Sequence, residues 1–446
     1  MKQTLAKKAR KFKNLEDAWR VIQRNGRYSK SDEIRHDIEA FAENATSHLR
    51  SIQHRLSRDQ FEFGKAKGVP IKKLDAQGRP TGKIRPIVIS PLESRIVQRA
   101  VLNVLNDVPQ LQGYIKTPYS FGGLRKDAKP QSPQDLNLSA VPAAISSILS
   151  EIGNGARWVA CADISAFFTK ISKASVLNIV KSGLNGDTEF FELTKKAVSV
   201  ELSNLTEMRN FADDFPIEDM GVAQGNSLSP LLGNITLAAF DAEMNIGDCA
   251  CIRYIDDFII LGPTAKAVNA RLRKAASLLN ALGMDLSPEK SSKKAQEVEK
   301  GFEFLGIEIA AGLIRPAAKS RSRFLSKVTS SLRESERAIL GLKHGNRITK
   351  SLSVIQTLKR IDGIVDGWGK HYWFCNDGKT FRDLDISIRK YIESYLSTYH
   401  NIKQSLKEEQ KHLPLGILEL GQRSKHSFQF PSLQSNDGSI DGKVTA

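Results

Sequence analysis

Two adjacent aspartates, Asp256 and Asp257, stand between two short apolar runs, Cys251 to Tyr254 and Phe258 to Leu261. The runs have the length and composition of β-strands, so the sequence predicts a hairpin with the acidic pair at its turn. Neighbouring carboxylates repel each other, and a hard cation such as Mg²⁺ is bound by carboxylates together with substrate phosphates. The pair therefore indicates a metal site, although a solvated hairpin turn would also contain aspartate.

A third carboxylate, Asp163, ends the continuous apolar run that begins at Trp158. This run predicts a buried strand, which is followed by Ile164 and then by Phe167 and Phe168. A lone buried charge is costly unless it meets a metal ion or a counter-charge. Asp163 is therefore a second candidate for a functional site.

Two further segments could contact an anionic ligand. Arg85 and Lys83 lie in a predicted basic hairpin, and an arginine in an apolar strand needs an anion, which a triphosphate or a structural carboxylate would supply. Gln224 and Gly225 lie in a Gly/Ser-rich loop before a predicted helix from Leu231 to Met244. The backbone N–H groups of this loop could approach a ligand closely, or the loop is a plain helix entry.

The chain has 446 residues and a formal net charge of +17, which predicts a polyanionic partner. Residues 1–30 contain ten Lys and Arg against two acidic residues, and residues 319–360 contain eleven against two. Solvated helix faces usually mix both signs, whereas these segments do not. The four cysteines lack the spacing of a zinc site or a disulfide framework. No apolar run predicts a membrane span or a secretory signal, so we expect a cytoplasmic protein without a membrane partner.

The elements around these residues predict an α+β protein with four segments. Residues 1–60 form a basic helical N-terminal extension, whose second amphipathic stretch runs from Ile34 to Leu56. Residues 61–315 mix strands and helices, and residues 316–423 contain apolar residues at helical spacing, among them Ile355 and Ile361. Residues 424–446 are rich in Ser, Gln, Asn, Asp and Gly, which predicts a disordered tail.

In their order along the chain, these features resemble the bacterial reverse transcriptases of the group II intron type. The likeness covers roughly residues 65–310, and a weaker likeness to the maturase thumb covers residues 367–373. The matching residues are Lys83 to Ile87, Asp163 with Phe167 and Phe168, Gln224-Gly225 with Ser229-Pro230, Tyr254 to Asp257, Lys290, and Phe304 to Gly306.

The resemblance implies a right-hand polymerase, with fingers and an antiparallel palm sheet in residues 61–315 and an α-helical thumb in residues 316–423. It implies RNA-directed DNA polymerase activity, in which two Mg²⁺ ions, or Mn²⁺ as a substitute, assist the transfer of dNTPs to a 3′-hydroxyl. The residues implied at the metal site are Asp163, Ile164, Asp256 and Asp257. Those implied at the nucleotide are Lys83, Arg85, Phe168, Gln224, Gly225 and Lys290. Those implied at the nucleic acid are Arg321, Arg323, Lys327 and Lys370.

Departures from the group II pattern narrow the resemblance. There is no Cys/His-rich endonuclease module and no Val-Thr-Gly box, and Asn226 stands where a serine is usual. The sequence is then most similar to stand-alone, defence-associated enzymes, which implies a structured non-coding RNA as template, a DNA primer or product, and antiphage defence. Two alternatives stay open: an RNA-binding maturase with an idle polymerase site, and a template-independent or protein-primed nucleotidyltransferase.

Overall fold

The computed structural model describes residues 4–29, 31–74, 79–123, 139–216 and 219–417. The chain divides into two compact units, residues 1–314 and residues 315–446. Two predicted segments lie outside the described residues: an irregular insertion from Lys126 to Leu138, which the turn-rich sequence indicates, and the tail, residues 424–446. Within the described ranges, no helix combines the length and the apolar character that a membrane span requires.

The first unit begins with four helices that share its main hydrophobic core. They are α1 (Leu5–Ala9), α2 (Phe12–Gly26), α3 (Asp32–Glu43) and α4 (Ala45–Ser57). Leu15 and Trp19 are buried in this core together with Ile96 and Val101, so residues 1–60 are part of the first unit. The amphipathic stretch predicted from Ile34 to Leu56 is helical, but it consists of two helices, because the backbone of Asn44 leaves the helical conformation between α3 and α4.

A two-stranded antiparallel hairpin follows, formed by β1 (Lys67–Leu74) and β2 (Pro80–Ile89). Along β2 the side chains alternate, with Ile84 and Val88 buried and with Lys83 and Arg85 exposed. This alternation is the period of a strand with one covered face, and it leaves both cations on the open face. The hairpin leads into α5 (Leu92–Leu105), whose bounds are those that the apolar spacing predicts.

A four-stranded sheet, formed by β3 (Trp158–Asp163), β4 (Ala250–Tyr254), β5 (Asp257–Gly262) and β6 (Gln296–Glu297), lies at the centre of the first unit, with strand order β4-β5-β3-β6. Strand β3 is antiparallel to β5 and β6, and β4 is antiparallel to β5. The elements from α5 to the last strand of this sheet are α6 (Gln112–Ile115), α7 (Ala140–Gly153), β3 (Trp158–Asp163), α8 (Lys173–Gly183), α9 (Thr188–Val198), α10 (Ser229–Thr236), α11 (Ala238–Met244), β4 (Ala250–Tyr254), β5 (Asp257–Gly262), α12 (Ala265–Ala281) and β6 (Gln296–Glu297).

The helix predicted from Leu231 to Met244 is instead two helices, α10 and α11. The hydroxyl of Thr236 donates to the carbonyl of Leu232, a type of side-chain bond that destabilises and bends helices. Leu237 then adopts a non-helical backbone conformation and separates the two helices. The break allows α11 to carry Asp241 into the core, where it is buried.

The chain continues into a second, three-stranded sheet and then into helices. The strands are β7 (Phe302–Phe304), β8 (Ile307–Ala310) and β9 (Leu313–Pro316), and the helices are α13 (Ala318–Gly341), α14 (Val354–His371) and α15 (Gly378–Gln404). The three helices enclose a core that contains Phe324, Val328, Ile361 and Tyr395. Ile355, which the spacing assigns to this core, is 47% exposed, because its neighbour Val354 faces inward instead.

Candidate active site

The sheet register brings the three predicted carboxylates to one end of the central sheet. Asp163 is the last residue of β3 and lies opposite Asp257, the first residue of β5. Asp256 lies in the turn between β4 and β5, and its carbonyl accepts a hydrogen bond from the N–H of Ile164 at 3.0 Å. That bond joins the end of β3 directly to the hairpin turn. The structure thus assembles side chains that are about 93 positions apart in the sequence.

The carboxylates experience strong mutual repulsion. Burial raises the pKa of Asp256, and the nearby charge of Asp163 raises it further, against the opposing effects of Lys290 and Arg85. Burial, followed by the charges of Asp256 and Asp163, raises the pKa of Asp257 to about 7. The local negative charge is therefore only partly compensated by the protein's own cations.

These properties fit a hard divalent cation. The donor set consists of carboxylate oxygens, which Mg²⁺ prefers, and a bound cation would offset the burial and the repulsion that together raise the two pKa values. Within the described ranges, no three acidic, histidine or cysteine side chains converge as a ready-made metal site. The three aspartates lie close together and repel one another, and Asp163 also accepts a hydrogen bond from a lysine.

That lysine is Lys290, whose Nζ donates to Asp163 Oδ1 at 2.7 Å. Partial burial lowers the pKa of Lys290, but the hydrogen bond to Asp163 and the three carboxylate charges outweigh it and raise the pKa overall. The segment that carries Lys290 lies along β3: Ser287 N–H donates to the carbonyl of Asp163, and Ser291 Oγ accepts from its N–H. Lys290 is therefore held beside the carboxylates as a cation.

The two predicted nucleotide-binding cations lie on the hairpin of β1 and β2. Arg85 is exposed, and its charge lowers the pKa of Asp256, which places it within electrostatic range of the carboxylates. Lys83 is also exposed, and its Nζ donates to Glu289 Oε1 at 2.6 Å. Glu289 thus connects the hairpin of β1 and β2 to the segment that carries Lys290, and Lys290 connects the same segment to Asp163.

The adjacent phenylalanines after β3 have different environments. Phe167 is 2% exposed, and a Cβ added to Gly233 would lie 2.8 Å from its ring. Phe168 is half-buried, and its carbonyl accepts from the N–H of Val222 at 2.7 Å. Phe167 is thus a core residue, and Phe168 is the ring that reaches the surface.

The loop that contains Gln224 and Gly225 lies against β2. The N–H of Val88 donates to the carbonyl of Gln224 at 2.8 Å. Gly225 has φ of +124°, and a Cβ there would lie 2.4 Å from the carbonyl oxygen of Val88, so only glycine permits this approach. Asn226 is buried, where its amide donates to the carbonyl of Ala197 and its oxygen accepts from the N–H of Leu228, so this unusual residue supports the loop.

The four residues implied at a nucleic acid lie in the second unit and differ in exposure. Arg323 and Lys327 are exposed on α13. Arg321 is half-buried, with Nη1 donating to Thr380 Oγ1 at 3.5 Å. Lys370 is exposed and pairs with Asp366 at 2.7 Å. Arg323 and Lys327 are thus the best placed of the four to contact a polyanion.

Sequence reasoning missed one buried residue beside the site, Arg253. It lies in β4, it is fully buried, and its guanidinium contacts both carboxylate oxygens of Asp241. The available signal was an arginine inside an apolar strand, which requires a buried acidic partner.

Comparison with known proteins gives one family and several distant relatives. Residues 71–309 match the family described as reverse transcriptase (RNA-dependent DNA polymerase). The curated protein YkfC of Escherichia coli K12 is 23% identical over 291 residues, which cover 57% of this chain and 71% of YkfC.

Two solved structures illustrate the structural matches. A partial Cas6-RT-Cas1–Cas2 complex is 23% identical with a TM-score of 0.34, covering 64% of this chain and 44% of that chain. The apo telomerase from Candida tropicalis is 14% identical with a TM-score of 0.39, covering 76% of this chain and 62% of that chain. This chain therefore spans less than two thirds of the length of both.

Proposed function

Because the chain belongs to the reverse transcriptase (RNA-dependent DNA polymerase) family, and is thus an RNA-directed DNA polymerase, we propose that its three clustered aspartates are the site of nucleotidyl transfer. The observation that carries this proposal is the location of Asp163, Asp256 and Asp257 at one sheet end, where burial and then mutual repulsion raise the pKa values of Asp256 and Asp257. Groups that have no function in binding a cation would not need to remain so poorly compensated.

Reverse transcriptase domains use divalent metal ions, and here Asp163, Asp256 and Asp257, with Ile164 beside them, would hold two Mg²⁺ ions, or Mn²⁺ as a substitute. Such ions, when bound, activate the attacking 3′-oxygen and neutralise the leaving pyrophosphate. Relief of the repulsion among the three side chains would contribute to the free energy of cation binding.

The cations around the carboxylates would receive the triphosphate of the incoming dNTP. Arg85 lies within electrostatic range of Asp256, and Lys83 would exchange its exposed partner Glu289 for a phosphate oxygen. A guanidinium suits this role because it binds phosphate through two parallel hydrogen bonds. Lys290, which lies beside Asp163, would donate a proton to the leaving phosphate.

The resemblance to reverse transcriptases implies the remaining nucleotide contacts. Phe168, the half-buried ring, would lie under the deoxyribose, while Gln224 and Gly225 would lie near the templating base pair.

Residues 61–315 would form fingers and palm, and residues 316–423 would form the thumb, with residues 1–60 as a basic extension and residues 424–446 as a tail. Arg323 and Lys327, together with Arg321 and Lys370, would then contact the nucleic acid.

We further propose that the template is a dedicated structured RNA, copied in the bacterial cytoplasm as part of antiphage defence. The net charge of +17 supports a large polyanionic partner. The defence role rests on the resemblance of the motif order to stand-alone bacterial enzymes. Sequencing the nucleic acid that copurifies with the protein tests the template. Phage challenge of cells that express the chain with its native flanking DNA tests the role.

The catalytic proposal is tested with Asp163→Ala and Asp256→Ala. Both variants should reduce Mg²⁺-dependent dNTP incorporation on a primed RNA template to background, while RNA affinity stays within about twofold, because the acidic cluster does not attract phosphate. Glu299→Ala, which removes an exposed carboxylate of the same unit, is the matched control and should retain activity. Polymerisation by both aspartate variants would contradict the assignment, and incorporation without template or primer would favour the template-independent alternative.

A further inference from the structure

The turn that carries Asp256 contains a residue in an unfavourable backbone conformation. Ile255 has φ of +62°, a region that β-branched residues rarely occupy and that costs free energy unless neighbouring groups hold it. Two-residue hairpin turns normally use glycine or asparagine at such positions. The peptide that links Ile255 to Asp256 is therefore held by the surrounding structure and not by its own preference.

The guanidinium of Arg253 is the group that holds this peptide. Its Nη1 donates to the carbonyl oxygen of Ile255 at 2.9 Å, while Nε and Nη2 donate to the two oxygens of Asp241 at 2.7 and 2.5 Å. Arg253 has no exposed surface, and the side chain of Asp241 is 5% exposed. One planar fork thus joins helix α11 to the carbonyl that precedes Asp256.

The backbone around Arg253 is fixed on its other edge as well. Its N–H donates to the carbonyl of Tyr119, and its carbonyl accepts from the N–H of Phe121. Gly122 then lies against the turn so closely that a Cβ there would be 2.5 Å from Ile255 Cγ1 and 2.8 Å from its backbone nitrogen. Arg253 hydrogen-bonds the turn directly, through the carbonyl of Ile255.

A buried ion pair of this kind adds little net stability, because the cost of removing both charges from water offsets their mutual attraction. The third hydrogen bond, to Ile255, adds a geometric constraint that an apolar pair of similar volume could not supply. We propose that Arg253, oriented by Asp241, is a positioning residue that fixes the Ile255–Asp256 peptide so that the Asp256 carboxylate is aimed at the cation. This inference rests on the proposed metal site.

The test uses Mn²⁺ as the probe and calorimetric titration of the full chain as the readout. Arg253→Lys keeps the charge opposite Asp241 but removes the fork that reaches Ile255. The double variant Arg253→Met/Asp241→Val removes both charges and keeps a packed core. We expect both to raise the Kd for Mn²⁺ at least 10-fold and to lower kcat for dNTP incorporation, with an unchanged KM for the primed template.

Asn245→Ala is the matched control, because Asn245 also anchors β4 but does not contact the turn. Its side chain bonds the N–H and carbonyl of Cys251 at 2.8 and 3.1 Å. A purely structural role for Arg253 predicts that Asn245→Ala and the Arg253 variants lower the melting temperature alike and leave the Mn²⁺ Kd unchanged. The positioning role predicts that only the Arg253 variants change the Kd.

The Asp256→Asn variant distinguishes failure of the positioning inference from failure of the proposed metal site. If Asp256→Asn binds Mn²⁺ as tightly as the wild type, the proposed metal site is wrong. If Asp256→Asn loses Mn²⁺ binding while both Arg253 variants keep the wild-type Kd, the positioning inference alone is wrong. If neither Arg253 variant folds, as judged by circular dichroism, the ion pair is a folding element and the positioning inference is overturned.

Discussion

The carboxyl group of Asp257, when ionised, lowers the stability of the folded, metal-free protein. Its pKa in the folded chain is raised from 3.8 to about 7 by burial and by two neighbouring carboxylates. Between these values the folded state retains a proton that the unfolded chain has released, so the metal-free protein loses stability as pH rises through this window. Above about pH 7 the folded protein must hold an ionised Asp257, and a bound cation would relieve that cost.

We therefore expect Asp257→Asn to stabilise the metal-free protein at pH 8. Asparagine cannot ionise, so the unfolding free energy of the variant should exceed that of the wild-type protein by roughly 1–2 kcal/mol at pH 8, after allowance for solvent screening. The two proteins should converge near pH 4. Urea denaturation with a chelator, at both pH values, measures the difference, and Glu299→Gln serves as an exposed acidic control. A difference that is independent of pH would contradict this linkage.

The two phenylalanines after β3 give a second prediction at the scale of single residues. Phe168→Ala should admit ribonucleotides, because the half-buried ring would no longer block a 2′-hydroxyl. Phe167→Ala should instead destabilise the fold by roughly 3–5 kcal/mol, since Phe167 is 2% exposed. Ratios of rNTP to dNTP incorporation, measured for both variants, decide the matter. An unchanged ratio for Phe168→Ala, with a shift for Phe167→Ala, would reverse the assignment.

At the scale of elements, the Gln224–Gly225 loop contacts β2, the strand that carries Arg85. A Cβ at Gly225 would approach the carbonyl oxygen of Val88 to 2.4 Å, so Gly225→Ala must displace one of the two backbones. We expect a loss of roughly 3 kcal/mol or more in stability. Because the displaced strand carries Arg85, the KM for dNTP should also rise.

Gly283→Ala is the matched control for that substitution. Gly283 also has a positive φ, of +71°, but a Cβ there would meet no atom within 4 Å. Its cost should be about 1–2 kcal/mol from the backbone conformation alone, with an unchanged KM for dNTP. Equal losses in the two variants would indicate that the conformation of Gly225, and not its contact with Val88, limits the substitution.

The same elements show what the sequence can and cannot predict. The bounds of β3 follow from an uninterrupted apolar run and those of α5 from apolar residues at helical spacing, and the acidic pair marks the turn between β4 and β5, although Asp257 already lies in β5. The breaks at Asn44 and Leu237 interrupt continuous helical patterns, so hydrophobic spacing does not reveal them. The meeting of Arg253 with Asp241 depends on how β4 packs against α11, which no local pattern encodes.

At the scale of the whole molecule, the acidic cluster and the segments richest in basic residues lie in different parts of the sequence. The net charge of +17 coexists with a central site whose own charge is negative. Basic residues are instead concentrated in residues 1–30 and 319–360, at a distance from the cluster in sequence. This division suits a polymerase, because the backbone of a nucleic acid needs cations along its length whereas the reacting phosphate needs metal ions.

Neutralising part of the basic surface should therefore weaken RNA binding in a salt-dependent manner. Arg323 and Lys327 are exposed on α13, so the double variant Arg323→Gln/Lys327→Gln should reduce the slope of log K against log salt by roughly 1.4–1.8, the value expected for two phosphate contacts. Lys274→Gln/Lys300→Gln is the control, since both lysines already pair with glutamates at 2.8 and 3.2 Å. Incorporation by a saturated complex should be unchanged in both. An unaltered slope for the α13 variant would mean that this face of the second unit does not contact RNA.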